Sequence, residues 1–161
     1  MRMPPADSGR LRGTDRRAIP HSRHAALSVV TSLDQNREAV RVYSHELWGA
    51  GRVELVEQMF APDFVDHHPD AIPGRPSGRE GIKHDVQRVR GMFPDFAMKT
   101  EEIICEEDRA GLFWSATGTQ TATGKQITMA GMQIFRLRDG QIIGRWSVFD
   151  REGVMRQLGA A

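Results

Sequence analysis

Residues 126–149 read QITMAGMQIFRLRDGQIIGRWSVF, and this stretch decides the fold. Apolar and polar positions alternate through it with a period of two, the mark of a strand with one buried face. Arg138-Asp139-Gly140 interrupts the alternation once, and Asp-Gly between two such runs is hairpin chemistry. The stretch therefore reads as two antiparallel strands, Gln126 to Leu137 and Gln141 to Phe149. Upstream, Phe96 to Glu107 and Gly111 to Gln120 have the same character. Glu107-Asp108-Arg109 and Ala122-Thr123-Gly124-Lys125 supply the turns. Connections this short join antiparallel neighbours, not parallel crossovers.

Ahead of the strands the period changes to that of a helix. Asp34 can cap a helix in which Ala39, Val40, Tyr43, Leu47 and Trp48 share a face, ended by Gly49 and Gly51. Val53, Val56, Met59 and Phe60 mark a shorter helix, which Pro62 stops before an extended piece at Phe64-Val65. Asp66-His67-His68-Pro69-Asp70 opens a loop through Pro73, Gly74 and Pro76 to Gly78. Ile82, Val86 and Val89 mark a third helix, and Arg151 to Leu158 adds a last helical turn. Helices followed by a strand meander predict an α+β domain over residues 33–161. In it, about three N-terminal helices pack on one face of a strongly curved antiparallel sheet and enclose a small-molecule pocket.

The 161 residues, 39% apolar and 27% charged with a net charge of +1, suit one well-cored domain. No apolar run approaches the roughly 20 residues of a membrane helix, so no membrane partner is expected. The only cysteine, Cys105, rules out an internal disulfide and suits a cytoplasmic location; it reads as a strand residue. Residues 1–30 hold six arginines against two aspartates, while the rest of the chain is net −3. No basic stripe continues that head into the domain, so no nucleic-acid partner is expected. Residues 1–32 read as a disordered, Arg-rich extension.

Strand alternation sorts the candidate residues by face. Ile127, Met129, Gly131, Gln133 and Phe135 share one face, where a single amide among apolar neighbours suits either a ligand pocket or a satisfied core position. Arg145, Ser147 and Phe149 share a face of the last strand. A buried arginine there demands a carboxylate partner or an anionic ligand. Asp66, His67 and His68 are the densest titratable cluster, and a carboxylate beside an imidazole can move protons. Only one of the two histidines can face a pocket from an extended segment. His84 and Asp85 lack the spacing of metal ligands, so no metal is expected. No phosphate-binding loop, dinucleotide fingerprint or nucleophile elbow is present, which favours chemistry without a cofactor.

Three stretches resemble the SnoaL-like polyketide cyclase family, of nuclear transport factor 2-like fold. They are Pro62-Asp63-Phe64-Val65-Asp66, the hairpin Phe135-Arg136-Leu137-Arg138-Asp139-Gly140-Gln141-Ile142, and the tail from Asp150 to Gly159. The resemblance runs from about Asn36 to Gly159. It implies a cone-shaped α+β barrel, a homodimer formed through the sheet, and an intramolecular aldol ring closure that uses neither metal nor cofactor. In the ungapped register from Gly131 to Gly159, the family's acid–base aspartate falls on Ser147 and its supporting histidine on Gln133. A family glutamine falls on Gly131 and a pocket asparagine on Asp66. A serine is a poor proton shuttle near neutral pH, so the expected catalytic set becomes Asp66, His67 and Arg145. In that set Asp66 has a carboxyl raised by an apolar pocket. The expected substrate-binding set is Gln133, Ser147, Met129, Phe135, Phe149 and Trp114. The implied function is a cyclase or isomerase acting on a hydrophobic, oxygenated small molecule. A non-catalytic binding protein is one alternative. An epoxide-opening enzyme using Asp66 and Asp150 is another.

Overall fold

The alternating second half of the chain forms four long strands, and the helices before it cover one of their faces. The computed structural model describes residues 23–67 and 73–159, with side chains from Ser32 onward in the first helix. His68 and residues 1–22 lie outside the described residues. In chain order the elements are helix α1 (Arg23–Val42), a π-helical segment (Tyr43–Gly49), a 3-10 turn (Val53–Leu55) and helix α2 (Val56–Met59). Strand β1 (Phe60–Asp66) and helix α3 (Gly78–Met92) follow. The meander is β2 (Ala97–Glu106), β3 (Arg109–Thr119), β4 (Gln126–Arg138) and β5 (Gln141–Phe149), and helix α4 (Arg151–Leu158) closes the chain.

The first helix starts upstream of its expected cap. It runs through Asp34 from Arg23, inside the segment read as an extension, because Ala25, Ala26 and Leu27 are strong helix formers. Its inner face is as the spacing predicts: Val40, Tyr43 and Leu47 are fully buried. From Tyr43 the helix widens, and the Ala50 amide reaches back five residues to the His45 carbonyl at 2.9 Å.

The sheet order is β1-β5-β4-β3-β2. The meander strands pair antiparallel as predicted. The expectation of a wholly antiparallel sheet is corrected at one edge, where β1 pairs in parallel with β5. The link between them carries α3 and three strands, far more chain than a parallel crossover needs. Register shifts interrupt the β2–β3 ladder between Thr100 and Glu102 and the β4–β5 ladder between Arg136 and Leu137. Such bulges bend a strand and increase its twist, and the sheet is curved and open, with β1 and β2 as its edges. Its inner face buries Leu112, Trp114, Ile127, Phe135 and Leu137 in one core with Val40 of α1 and Ile82 and Val86 of α3. Asn36 reaches across from α1 to cap the β2–β3 turn, its amide donating to the Glu107 carbonyl at 3.0 Å.

The hairpin that fixes the β4–β5 register is built on Asp139 (φ 53°) and Gly140 (φ 76°), the pair of positive values that a two-residue hairpin requires. A Cβ at Gly140 would meet nothing within 4 Å, so its cost there is purely backbone strain. Gly140→Ala is expected to lose about 1–2 kcal/mol of unfolding free energy. Urea denaturation with an unchanged slope is the check.

Candidate functional site

A cavity of about 330 Å³ lies between the inner sheet face, α3 and α4. Its volume falls in the range of small-molecule sites. The helix α3 contributes Asp85, Arg88, Val89 and Met92, spaced so that all four share one face. The sheet contributes Met98, Trp114, Met129, Gln133, Arg145, Ser147 and Phe149. Val154, Met155 and Leu158 of α4 close one side, and Trp48 enters from the π-helical segment. Aromatic and methionine side chains make up about half of this wall; its polar groups are Asp85, Gln133, Ser147 and the guanidiniums of Arg75, Arg88, Arg145 and Arg151.

The polar end is a chain of charges. Arg145 and Asp66 are register partners on β5 and β1, which sets guanidinium against carboxylate. Nε of Arg145 donates to Oδ1 of Asp66 at 3.1 Å and Nη2 to Oδ2 at 2.7 Å, with both side chains almost wholly buried. Nη1 of Arg145 donates to the Tyr43 hydroxyl at 2.8 Å. From the loop before α3, Nη2 of Arg75 donates to Oδ2 of Asp66 at 2.5 Å. Nε of Arg75 donates to both oxygens of Asp85 at 3.1 and 2.9 Å. Gly81 makes room for this arrangement, since a Cβ there would collide with the Pro76 carbonyl and the Arg75 guanidinium. Two cations and two anions thus neutralise one another, as burial demands.

These neighbours decide the protonation states. Burial pushes the Asp66 carboxyl up, but the charges of Arg145 and Arg75 outweigh it and hold the group below the ordinary aspartate range. The expected raised carboxyl is therefore corrected: the pocket end is not apolar but doubly cationic. Burial drives the Tyr43 hydroxyl up against the opposing influence of Arg145, which keeps it protonated. Burial opposes the charge on Arg145, but Tyr43 and Asp66 more than restore it. Away from the cavity, burial raises the Cys105 thiol, which leaves it a poor nucleophile.

Of the residues read from the sequence, Arg145, Gln133, Ser147, Met129, Phe149 and Trp114 line the cavity. Asp66 does not; it sits behind Arg145. His67 lies on the other side of the sheet, its ring stacked on Trp146 with centroids 4.2 Å apart and planes within 3°. Adjacent strand residues point to opposite faces, so the Asp66–His67 proton-transfer pair is not assembled. Phe135 is fully buried edge-on against Tyr43 at 4.9 Å, which makes it core and not wall. The Asp66–Asp150 pair fails too: Asp150 caps α4 by accepting from the Gly153 amide at 2.8 Å, and neither carboxylate lines the cavity.

Arg75 and Asp85 line the cavity outside the sets expected from the sequence, where Asp85 is weighed only as a metal ligand. Asp85 stands three residues after Ile82 and one before Val86, so a carboxylate inside an apolar helical stripe was the available signal. Arg75 gave none. Gln133 Nε2 donates to the Ser147 hydroxyl at 3.3 Å, while Oε1 of Gln133 and the indole nitrogens of Trp48 and Trp114 have no partner. The Trp114 ring lies over Gly131, where any Cβ would overlap it. Among the described residues no group of three or more His, Cys, Asp or Glu side chains could hold a metal ion. Nor is any helix long and apolar enough to cross a membrane.

The sequence model of the SnoaL-like polyketide cyclases matches residues 37–158. The chain belongs to this family. A candidate polyketide cyclase from Bacillus cereus superposes with a TM-score of 0.72 at 28% identity, over 78% of this chain and 81% of that one. IdmH, a candidate polyketide cyclase from Streptomyces antibioticus, gives 0.69 at 29% identity, over 78% and 99% of the two chains. A stretch of the error-prone DNA polymerase of Sinorhizobium medicae is 32% identical over 146 residues, 89% of this chain. The chain spans 11% of that polymerase's length. For this SnoaL-like chain, membership supports a cyclase- or isomerase-type function and the nuclear transport factor 2-like fold.

The charge chain generates a stability prediction. Asp66 has a lower pKa folded than unfolded, so its contribution is complete above the ordinary aspartate range and is lost as pH falls below about 4. Asp66→Ala leaves Arg145 buried without its counter-charge and is expected to cost about 3–5 kcal/mol at pH 7. The difference between the two proteins should shrink on acidification, which denaturant titrations at pH 7 and pH 3 would measure.

Proposed function

We propose that this protein is a cofactor-independent cyclase or isomerase whose substrate is a hydrophobic, oxygenated small molecule of polyketide type. The observation that carries this reading is the cavity itself: apolar walls with one carboxylate, Asp85, and a hydroxyl–amide pair, Ser147 and Gln133. Among the described lining residues Asp85 is the only carboxylate, so the acid–base role passes to it from Asp66. Arg75 occupies one lone pair on each oxygen of Asp85, and a carboxylate has acceptor capacity beyond that. Asp85 would take a proton from the carbon beside a substrate carbonyl. The resulting enolate carbon would attack a second carbonyl, or be reprotonated elsewhere in an isomerisation, and the proton would return to the product oxygen or carbon. Ser147 accepts from Gln133, which leaves its own O–H free to donate to the developing oxyanion. Arg145 has three donors committed within the protein and contributes its field more than a direct bond.

A second reading, a binding protein without chemistry, is favoured by Ser147 at the family's acid–base position and by the locked carboxylate of Asp66. Thermal stability against polycyclic keto-esters, steroids and epoxides, with mass spectrometry of each stabilising compound, separates the two. Conversion that slows at least about 100-fold in Asp85→Asn, with the compound still stabilising the variant, supports the enzyme and the role of Asp85. Unchanged turnover in Asp85→Asn removes that role. Stabilisers recovered intact point to the binding protein.

We also propose that the protein is a homodimer through the outer sheet face. Ile104, Phe113, Met132, Ile134, Trp146 and Val148 are all exposed there, more apolar surface than a monomer comfortably presents to water. Met132→Glu is expected to shift sedimentation from dimer to monomer; a wild-type protein that is monomeric at high micromolar concentration would sink the proposal.

A further inference from the structure

Helix α3 carries four Lys and Arg side chains, and three are consumed by the fold. Arg79 donates to the Phe60 carbonyl and to Glu57, Lys83 pairs with Glu57 and Glu80, and Arg90 donates to the carbonyls of Gly49 and Phe96. Arg88 differs from all of them. It is exposed and, among the described residues, has no hydrogen bond or ion pair, yet its side chain lines the cavity beside Val89 and Met92. One turn away, the charge of Asp85 is already met by Arg75, and that of Asp66 by Arg145 and Arg75. Among the described residues, no carboxylate on the cavity wall remains for Arg88.

From this we infer that the ligand carries a carboxylate, held by Arg88 at the rim, while its apolar body fills the aromatic and methionine-lined interior. The inference rests on the reading of the cavity as a site for a hydrophobic small molecule and adds the class: a hydrophobic carboxylic acid. A guanidinium fork matches a planar carboxylate with two parallel N–H···O bonds. At the rim the pair forms without the full desolvation cost of a buried ion pair. The apolar interior then orients the molecule by its uncharged end, which carries its reactive oxygens towards Ser147, Gln133 and Asp85.

Naphthoate and its methyl ester share an apolar body and differ by one charge, so isothermal titration of both at low salt isolates the role of Arg88. Wild-type protein is expected to bind the acid about tenfold more tightly than the ester, with the advantage shrinking as salt is added. Arg88→Gln is expected to abolish the advantage without changing the affinity for the ester. Arg109→Gln, an equal charge change on the sheet away from the cavity, should alter neither. Equal affinities in the wild type, an advantage that survives Arg88→Gln, or equal weakening of both ligands by Arg88→Gln would overturn the inference while leaving the hydrophobic pocket in place. Binding of neither compound at millimolar concentration would remove both the pocket reading and the inference that rests on it.

Discussion

Arg145 has almost no exposed surface, and a guanidinium so placed must find its counter-charge inside the protein. That requirement organises the polar end of the molecule. Asp66 answers it from β1, Arg75 balances the second face of Asp66, and Asp85 balances Arg75. Tyr43 takes the remaining direction. One chain of charges therefore ties the π-helical segment, β1, the loop before α3, α3 itself and β5 to a common point. The parallel pairing of β1 is part of the same solution, since it is the register that sets Asp66 opposite Arg145.

The cavity inherits its polarity from this arrangement. Arg145 and Arg75 arrive at its wall already neutralised, so the interior presents no net charge that would repel an apolar body. Asp85 is held in a fixed orientation by Arg75, and the Gln133–Ser147 pair lies on the adjoining strands. Met98, Trp114, Met129 and Phe149 supply apolar wall beside those groups.

Most of the architecture was legible because it is local. Period-two alternation and the Asp139-Gly140 turn locate the meander strands to within a few residues, and apolar spacing locates α3. The parallel edge was not legible, because nothing within Phe60–Asp66 records which strand it will join 79 residues later. The site was legible by halves. Gln133, Ser147 and Met129 follow from alternation alone, whereas the state of Asp66 depends on two arginines from distant segments. Read by itself in an apolar pocket, a carboxylate has a raised pKa; the same carboxylate between two guanidiniums has a lowered one. His67 illustrates the other failure: sequence adjacency to Asp66 is, in a strand, a reason for the two side chains to part.

Trp114 and Gly131 face one another across the β3–β4 ladder, and the indole fills the space that a side chain at 131 would need. The two positions therefore share a single allotment of volume. A larger residue at 131 requires a smaller one at 114 and also a shift of the Val148 carbonyl on β5, which would lie 2.7 Å from the new Cβ, so the bulk moves from one strand to the next only if the β4–β5 ladder gives way there. What such an exchange changes is the shape of the floor: a flat ring spanning two strands becomes two separate side chains with a cleft between them. Relatives that differ at this pair are thus expected to hold ligands of different outline.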